Sequence, residues 1–154
     1  MECLMAEQKY SKNIITRPRQ KELDEWKEWG DVRKSHIYVD DEIVKGGYYL
    51  QGSWLYRASD VPYPDETHSH DFDEYLGFIG TKFDDPFDLG GVVDLWMDGE
   101  FYTLTETCMI FIPAGVDHCP VYARRVESPI FFLATTHQKM YKRELKDKAG
   151  GEGE

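Results

Sequence analysis

His68-Ser69-His70-Asp71-Phe72-Asp73-Glu74 reads HxHxxxE, and it is answered further along the chain by Pro113-Ala114-Gly115-Val116-Asp117-His118, which reads PxGxxH. Together the two stretches offer three imidazoles and one carboxylate, a donor set suited to a divalent first-row transition metal. Side chains of a β-strand alternate between faces, so His68 and His70 share a face while Ser69 turns away. Glu74 stands an even number of residues further on. It rejoins that face if the extended run continues or if an intervening turn preserves parity. His118 has to arrive from a different strand. Pro113 fixes its own φ and Gly115 is free to take positive φ, so Pro-Ala-Gly is a corner that delivers His118 to a strand start. Imidazole suits Fe, Ni, Cu or Zn and the carboxylate suits Fe or Mn, so the set does not single out one metal. His36 and His137 stand alone and read as ordinary surface or core residues.

Composition bounds what surrounds these motifs. With 154 residues, 41% of them hydrophobic and 14% aromatic, the chain has the size and apolar content of one folded domain. A formal net charge of -11 disfavours nucleic acid and anionic membrane surfaces, both of which recruit basic patches. No stretch is long and apolar enough to span a bilayer. The opening Met1-Glu2-Cys3-Leu4-Met5-Ala6-Glu7 lacks the charged and apolar regions of a signal peptide. Cys3, Cys108 and Cys119 are an odd set with no CxxC spacing. The expectation is a cytoplasmic, reduced protein.

Punctuation along the chain divides it into an arm over 1–34, a β-barrel over 35–137 and a charged tail over 138–154. In the arm, Leu23, Trp26 and Trp29 recur at helical spacing after Pro18, which predicts a short helix from Gln20 to Trp29 with Gly30 as its stop. From Ser35 onward short apolar runs alternate with turns. Tyr75 to Ile79, Val92 to Met97, Glu100 to Leu104, Met109 to Ile112, Cys119 to Val126 and Ile130 to Thr136 read as strands. Asp98-Gly99 between two of them is a strong hairpin signal. Many short strands at this spacing predict a sandwich or barrel. The tail from Gln138 reads as a short helix fading into disorder. The acidic stretch Lys82 to Asp88 lacks the alternate ligand positions of a calcium loop and reads as a solvated surface loop.

The two motifs, in this order and set among short strands, resemble those of the cupin superfamily over roughly Gly46 to Thr136. That resemblance implies an all-β double-stranded β-helix, a small jelly roll carrying one divalent transition metal (Fe, Mn, Ni or Zn) inside. The family's four metal ligands fall on His68, His70, Glu74 and His118, and Pro113 and Gly115 match the second motif. At Pro62, Thr107 and Tyr122 the family pattern has Gly, Gly and Asn, which affects turns and pocket lining and leaves the ligand set intact. Resemblance to small cupins also implies a homodimer, with the Trp-bearing arm as the candidate exchange element.

Strand parity nominates further pocket residues. If Cys119 to Val126 is regular, Tyr122 and Arg124 share the face of His118 and Cys119 points away, with Pro120 as the residue able to break that parity. Tyr122 is then a candidate acid or base near the metal, and Arg124 a candidate for holding a substrate carboxylate. Leu76 and Phe78 continue the face of Glu74 as an apolar wall. Nucleotide-binding glycine motifs and the GxSxG elbow are absent. Two functions fit: a metal-dependent enzyme acting on a small polar or acidic molecule, by dioxygenase, lyase, decarboxylase or isomerase chemistry, and a non-catalytic metal-dependent binder or sensor of a small molecule.

Overall fold

In the computed structural model, which describes residues 8–64 and 66–146, the strands begin and end where turn residues dictate. Asp98 and Gly99 take φ of 47° and 93°. Two successive left-handed residues make the two-residue turn whose twist matches paired strands. They join β5 (Asp88–Met97) to β6 (Glu100–Glu106), with Met97 opposite Glu100. The remaining strands are β1 (Arg33–Val39), β2 (Leu50–Leu55), β3 (His68–Ser69), β4 (Glu74–Ile79), β7 (Cys108–Ile112), β8 (His118–Val126), β9 (Ile130–Thr136) and β10 (Glu144–Leu145). They form two antiparallel sheets of five strands, ordered β1-β2-β9-β4-β7 and β10-β3-β8-β5-β6. The sheets face each other as a double-stranded β-helix, the fold the resemblance implied.

Alternation along the strands builds the interior in layers. On one sheet Leu76 pairs with Ala134, which pairs with Gln51, and Phe78 pairs with Phe132, which pairs with Ser53. Phe78 and Phe132 stack with ring centroids 4.8 Å apart. With Leu55, Ile130, Leu89, Val93, Leu95 and Val121 they make a buried apolar core. The interior beside that core is a cavity of about 320 Å³ into which Gln51, Ser53, Phe132 and Ala134 face.

Both flanking segments close on the barrel. The arm's helix α1 (Gln20–Glu25) is shorter than the spacing predicts, because the chain tightens at Trp26 into a 3-10 turn over Lys27–Trp29. Three residues per turn bring Trp26 and Trp29 into one row. Trp26 faces Tyr38 at 6.2 Å between ring centroids and Trp29 meets Tyr63 edge-on at 4.3 Å. The tryptophans thus pack on the chain's own barrel, while Leu23 stays exposed. Beyond β9 the chain is not helical through residue 146. It runs extended across the barrel mouth and adds β10 beside β3, with Glu144 opposite Ser69. Residues 147–154 of the expected disordered tail, and Cys3 at the other end, lie outside the described residues. Among the described residues no helix is long and apolar enough to cross a membrane.

Candidate metal centre

His68 and His118 face each other across the β3–β8 pair, which fixes two of the four motif side chains by strand register alone. The other two depend on the turns. Gly115, at φ 84°, lets the corner after Pro113 fold back so that its N–H donates to the His70 carbonyl at 2.7 Å. Ala114 N–H donates to Asp73 Oδ1 at 2.9 Å, and Thr136 Oγ1 donates to the Asp73 carbonyl at 2.9 Å. These bonds hold the turn between β3 and β4, so Glu74 starts β4 facing the histidines. The structure therefore brings His68, His70, Glu74 and His118 together: one ligand atom from each lies within 4.8 Å of all the others, and all four residues are buried.

Hydrogen bonding sets the chemistry of this cluster. His68 Nδ1 is 2.8 Å from the Glu66 carbonyl, His118 Nδ1 is 3.0 Å from the Val116 carbonyl, and His70 Nδ1 meets the Lys142 carbonyl. A carbonyl only accepts, so each Nδ1 carries a proton and each ring turns its Nε2 inward. His70 Nε2 and His118 Nε2 lie 2.8 Å and 3.2 Å from Glu74 Oε2. Neither nitrogen nor that oxygen has a well-formed hydrogen-bond partner. Lone pairs facing a carboxylate oxygen in a buried site are reconciled only by positive charge among them, whether protons or a metal cation. Backbone carbonyls that orient metal-binding imidazoles are the usual outer support of such a centre. The residues fit a transition metal ion.

Burial sharpens the electrostatics. It pushes the His68 imidazole down to about 4, with the neighbouring His118 acting in the same direction. Burial alone would raise the Glu74 carboxyl, but positive charge facing it from the side of His118 and His70 outweighs burial and holds the group at about 2. The ring of His70 stacks on Phe72, with centroids 4.8 Å apart.

The structure places Tyr122 and Arg124 away from the cluster, contrary to the expectation from parity. Cys119 takes φ 73°, and this backbone reversal at the second residue of β8 shifts the alternation that follows it. Val121 and Ala123 join the core, and Cys119 faces the cavity instead of pointing away. Tyr122 turns to the outer face, half-buried. There Arg124 lies over its ring at 4.0 Å and donates from Nε to Asp94 Oδ2 at 3.0 Å.

Sequence reasoning missed two phenols and an arginine that do line the cavity. Tyr141, from the segment after β9, has its hydroxyl 3.3 Å from His68 Nε2. Burial, and then the charge of Glu74, push its ionisation far up, so it stays protonated at neutral pH. Tyr49 stacks beside Tyr141 at 4.6 Å and donates to Gln51 Oε1 at 2.9 Å. Arg33 lies on the same cavity wall system. The signal available for Tyr141 was that it is the sole aromatic residue between 138 and 154.

No family model matches the chain, and no curated protein sequence matches it. Solved structures similar to it include KdgF from a Halomonas species, at 16% identity over 69% of this chain and 78% of that one, with a TM-score of 0.41. The polyketide cyclase RemF from Streptomyces resistomycificus aligns at 14% identity over 77% and 74%, with a TM-score of 0.49. An uncharacterised protein with a double-stranded β-helix domain from Klebsiella pneumoniae aligns at 10% identity over 76% and 84%, with a TM-score of 0.47.

Proposed function

We propose that this chain is a metal-dependent enzyme in which His68, His70, Glu74 and His118 hold one divalent transition metal ion (Fe, Mn, Ni or Zn) and a small polar or acidic molecule reacts in the adjoining cavity. One observation carries the reading: the buried Nε2 atoms of His70 and His118 and a Glu74 carboxylate oxygen converge without hydrogen-bond partners, while the Nδ1 of all three rings is committed to a backbone carbonyl. When bound, such an ion acts as a Lewis acid that polarises a carbonyl, hydroxyl or carboxylate.

The chain's own residues supply the rest. Tyr141, protonated and beside His68, is placed to donate a proton or a hydrogen bond to an oxygen of the bound molecule. Trp26, Glu22 and Lys21 from the arm line the cavity. A proton donor beside a polarised oxygen suits lyase, decarboxylase or isomerase chemistry, and dioxygenase chemistry is the reading if the ion is iron. A second reading, a non-catalytic metal-dependent binder, draws on the fact that Tyr49 and Tyr141 are both held protonated by burial, so neither is a ready base.

Elemental analysis of protein purified without chelator tests the site. About one equivalent of a single transition metal is expected in the parent, and none in His70→Ala. An unchanged metal content in His70→Ala, or no uptake by the parent, overturns the proposal. Catalysis is tested next by solvent-deuterium incorporation and dioxygen uptake with small organic acids. Tyr141→Phe is expected to keep its metal and lose on the order of a hundredfold in turnover. Ligand binding without turnover, for every one of the four metals, would leave the binder.

A further inference from the structure

The cavity wall holds a buried cation that makes no ion pair among the described residues. Arg33, the first residue of β1, is 3% exposed. Its guanidinium lies 3.3 Å from the ring centroid of Tyr63 and bonds the Tyr63 hydroxyl. Its Nε is buried with no hydrogen-bond partner. The groups that most favour its charge are Tyr63, Tyr49 and Cys119, with no carboxylate among them. The ring face of Tyr63 offsets part of the cost of burying a guanidinium. It leaves the net charge and the Nε donor uncompensated, a combination that proteins do not sustain without a partner.

Two more orphaned donors stand next to it. Ser35 is two residues on along β1, and Ser53 lies directly opposite Ser35 on β2. Both hydroxyls are buried without partners. Arg33 and Ser53 line the same cavity as His68, Glu74 and His118. The register fixes where they sit in it. Glu74 is level with Thr136, Arg33 is level with Leu55 and Ile130, and the layers of Leu76 and Phe78 lie between. Besides the histidine–glutamate cluster, the cavity lining therefore includes the Arg33 guanidinium and the Ser53 hydroxyl.

We infer that Arg33 and Ser53 form an anion subsite, and that the molecule acted on at the histidine–glutamate cluster is a small organic acid. Its carboxylate docks at this subsite while a second oxygen function reaches the cluster. A carboxylate matches the fork of a guanidinium and accepts from a serine hydroxyl beside it. The volume of about 320 Å³ holds about ten water-sized groups at roughly 30 Å³ each, the size of a hydroxy or oxo acid. The role of the second oxygen rests on the metalloenzyme reading, whereas the subsite rests on the unpaired charge.

Titration calorimetry on the full chain tests this with malate, pyruvate, succinate and citrate, beside inorganic phosphate. At least one acid is expected to bind the parent at a single site. Arg33→Gln is expected to weaken that binding at least tenfold, the scale of a lost charge-assisted bond, with metal content unchanged. Ser53→Ala is expected to weaken it severalfold, and it decides the matter in the same terms if Arg33→Gln fails to fold. Binding of no acid by the parent, binding of phosphate alone, or equal binding by the folded variant would show that Arg33 only braces Tyr63. The two readings fail separately. Arg33-dependent binding in a parent that takes up no metal overturns the metal centre alone, and full metal content without such binding overturns the subsite alone.

Discussion

Metal-free protein is expected to unfold about 10 °C below the metal-loaded form at neutral pH, and to lose further stability as the pH falls from about 6.5 to about 4. The first figure follows from linkage: an ion at about a thousand times its dissociation constant adds about 4 kcal/mol, and each kcal/mol moves a domain of this size by about 2–4 °C. The second follows from His68, whose imidazole is held at about 4 by burial against an ordinary 6.5. Below 6.5 the unfolded chain takes up a proton that the folded chain refuses, so stability drops with pH and levels off once both states are protonated. A shift of this size corresponds to about 3 kcal/mol. Glu74, held at about 2, follows the same rule in a lower window: its contribution is complete above its ordinary value and is lost as the pH falls toward 2. Protons compete with the ion for the same nitrogens, so metal release should track the first window. Scanning calorimetry with and without chelator across pH 4–8 checks this. A metal-free form as stable at the acid end as at neutrality would refute the assignment of a neutral, buried His68 ring.

Phe78→Ala is the substitution expected to cost most through packing alone, about 3–5 kcal/mol out of a total on the order of 5–15 kcal/mol. Phe78 is fully buried and stacks on Phe132 between the sheets. Removing its ring leaves a void flanked by backbone on both sides, where sheet geometry resists collapse. Phe83, 96% exposed in the loop after β4, is the contrast: Phe83→Ala should change stability by less than about 0.5 kcal/mol. Urea unfolding of both variants decides it, and a loss below about 1.5 kcal/mol for Phe78→Ala would contradict the layered core described above.

The contrast between what the chain discloses in one dimension and what it builds in three follows the range of the forces involved. Alternation at His68 and His70, the hairpin at Asp98-Gly99 and the corner at Gly115 are local rules, so the strands and the four-residue cluster could be read directly. The fate of Tyr122 and Arg124 turned on one residue. Cys119 in a left-handed conformation reverses the facing of everything after it, and nothing in its side chain announces that. The shortening of α1 reflects a tertiary demand, the seating of Trp26 and Trp29 on Tyr38 and Tyr63, which outweighs helical propensity. Arg33 and Tyr141 were illegible for the same reason in a stronger form. Each is brought to the cavity by a segment far from either motif, and a charged or aromatic residue near a terminus carries no local mark of facing inward.

The crossing of the barrel mouth by residues 139–146 has a temporal meaning. His70 owes its ring orientation to the Lys142 carbonyl, His68 faces the Tyr141 hydroxyl, and Lys146 N–H bonds the Thr67 carbonyl at 2.9 Å. All four imidazole and carboxylate donors are translated by position 118, yet the carbonyl that orients His70 belongs to Lys142, about two dozen residues later. If the cluster holds a metal ion as proposed, a nascent chain with every donor translated still lacks the carbonyl that fixes the His70 ring, and the ion taken up would depend on the order of events at the ribosome as well as on the donor set.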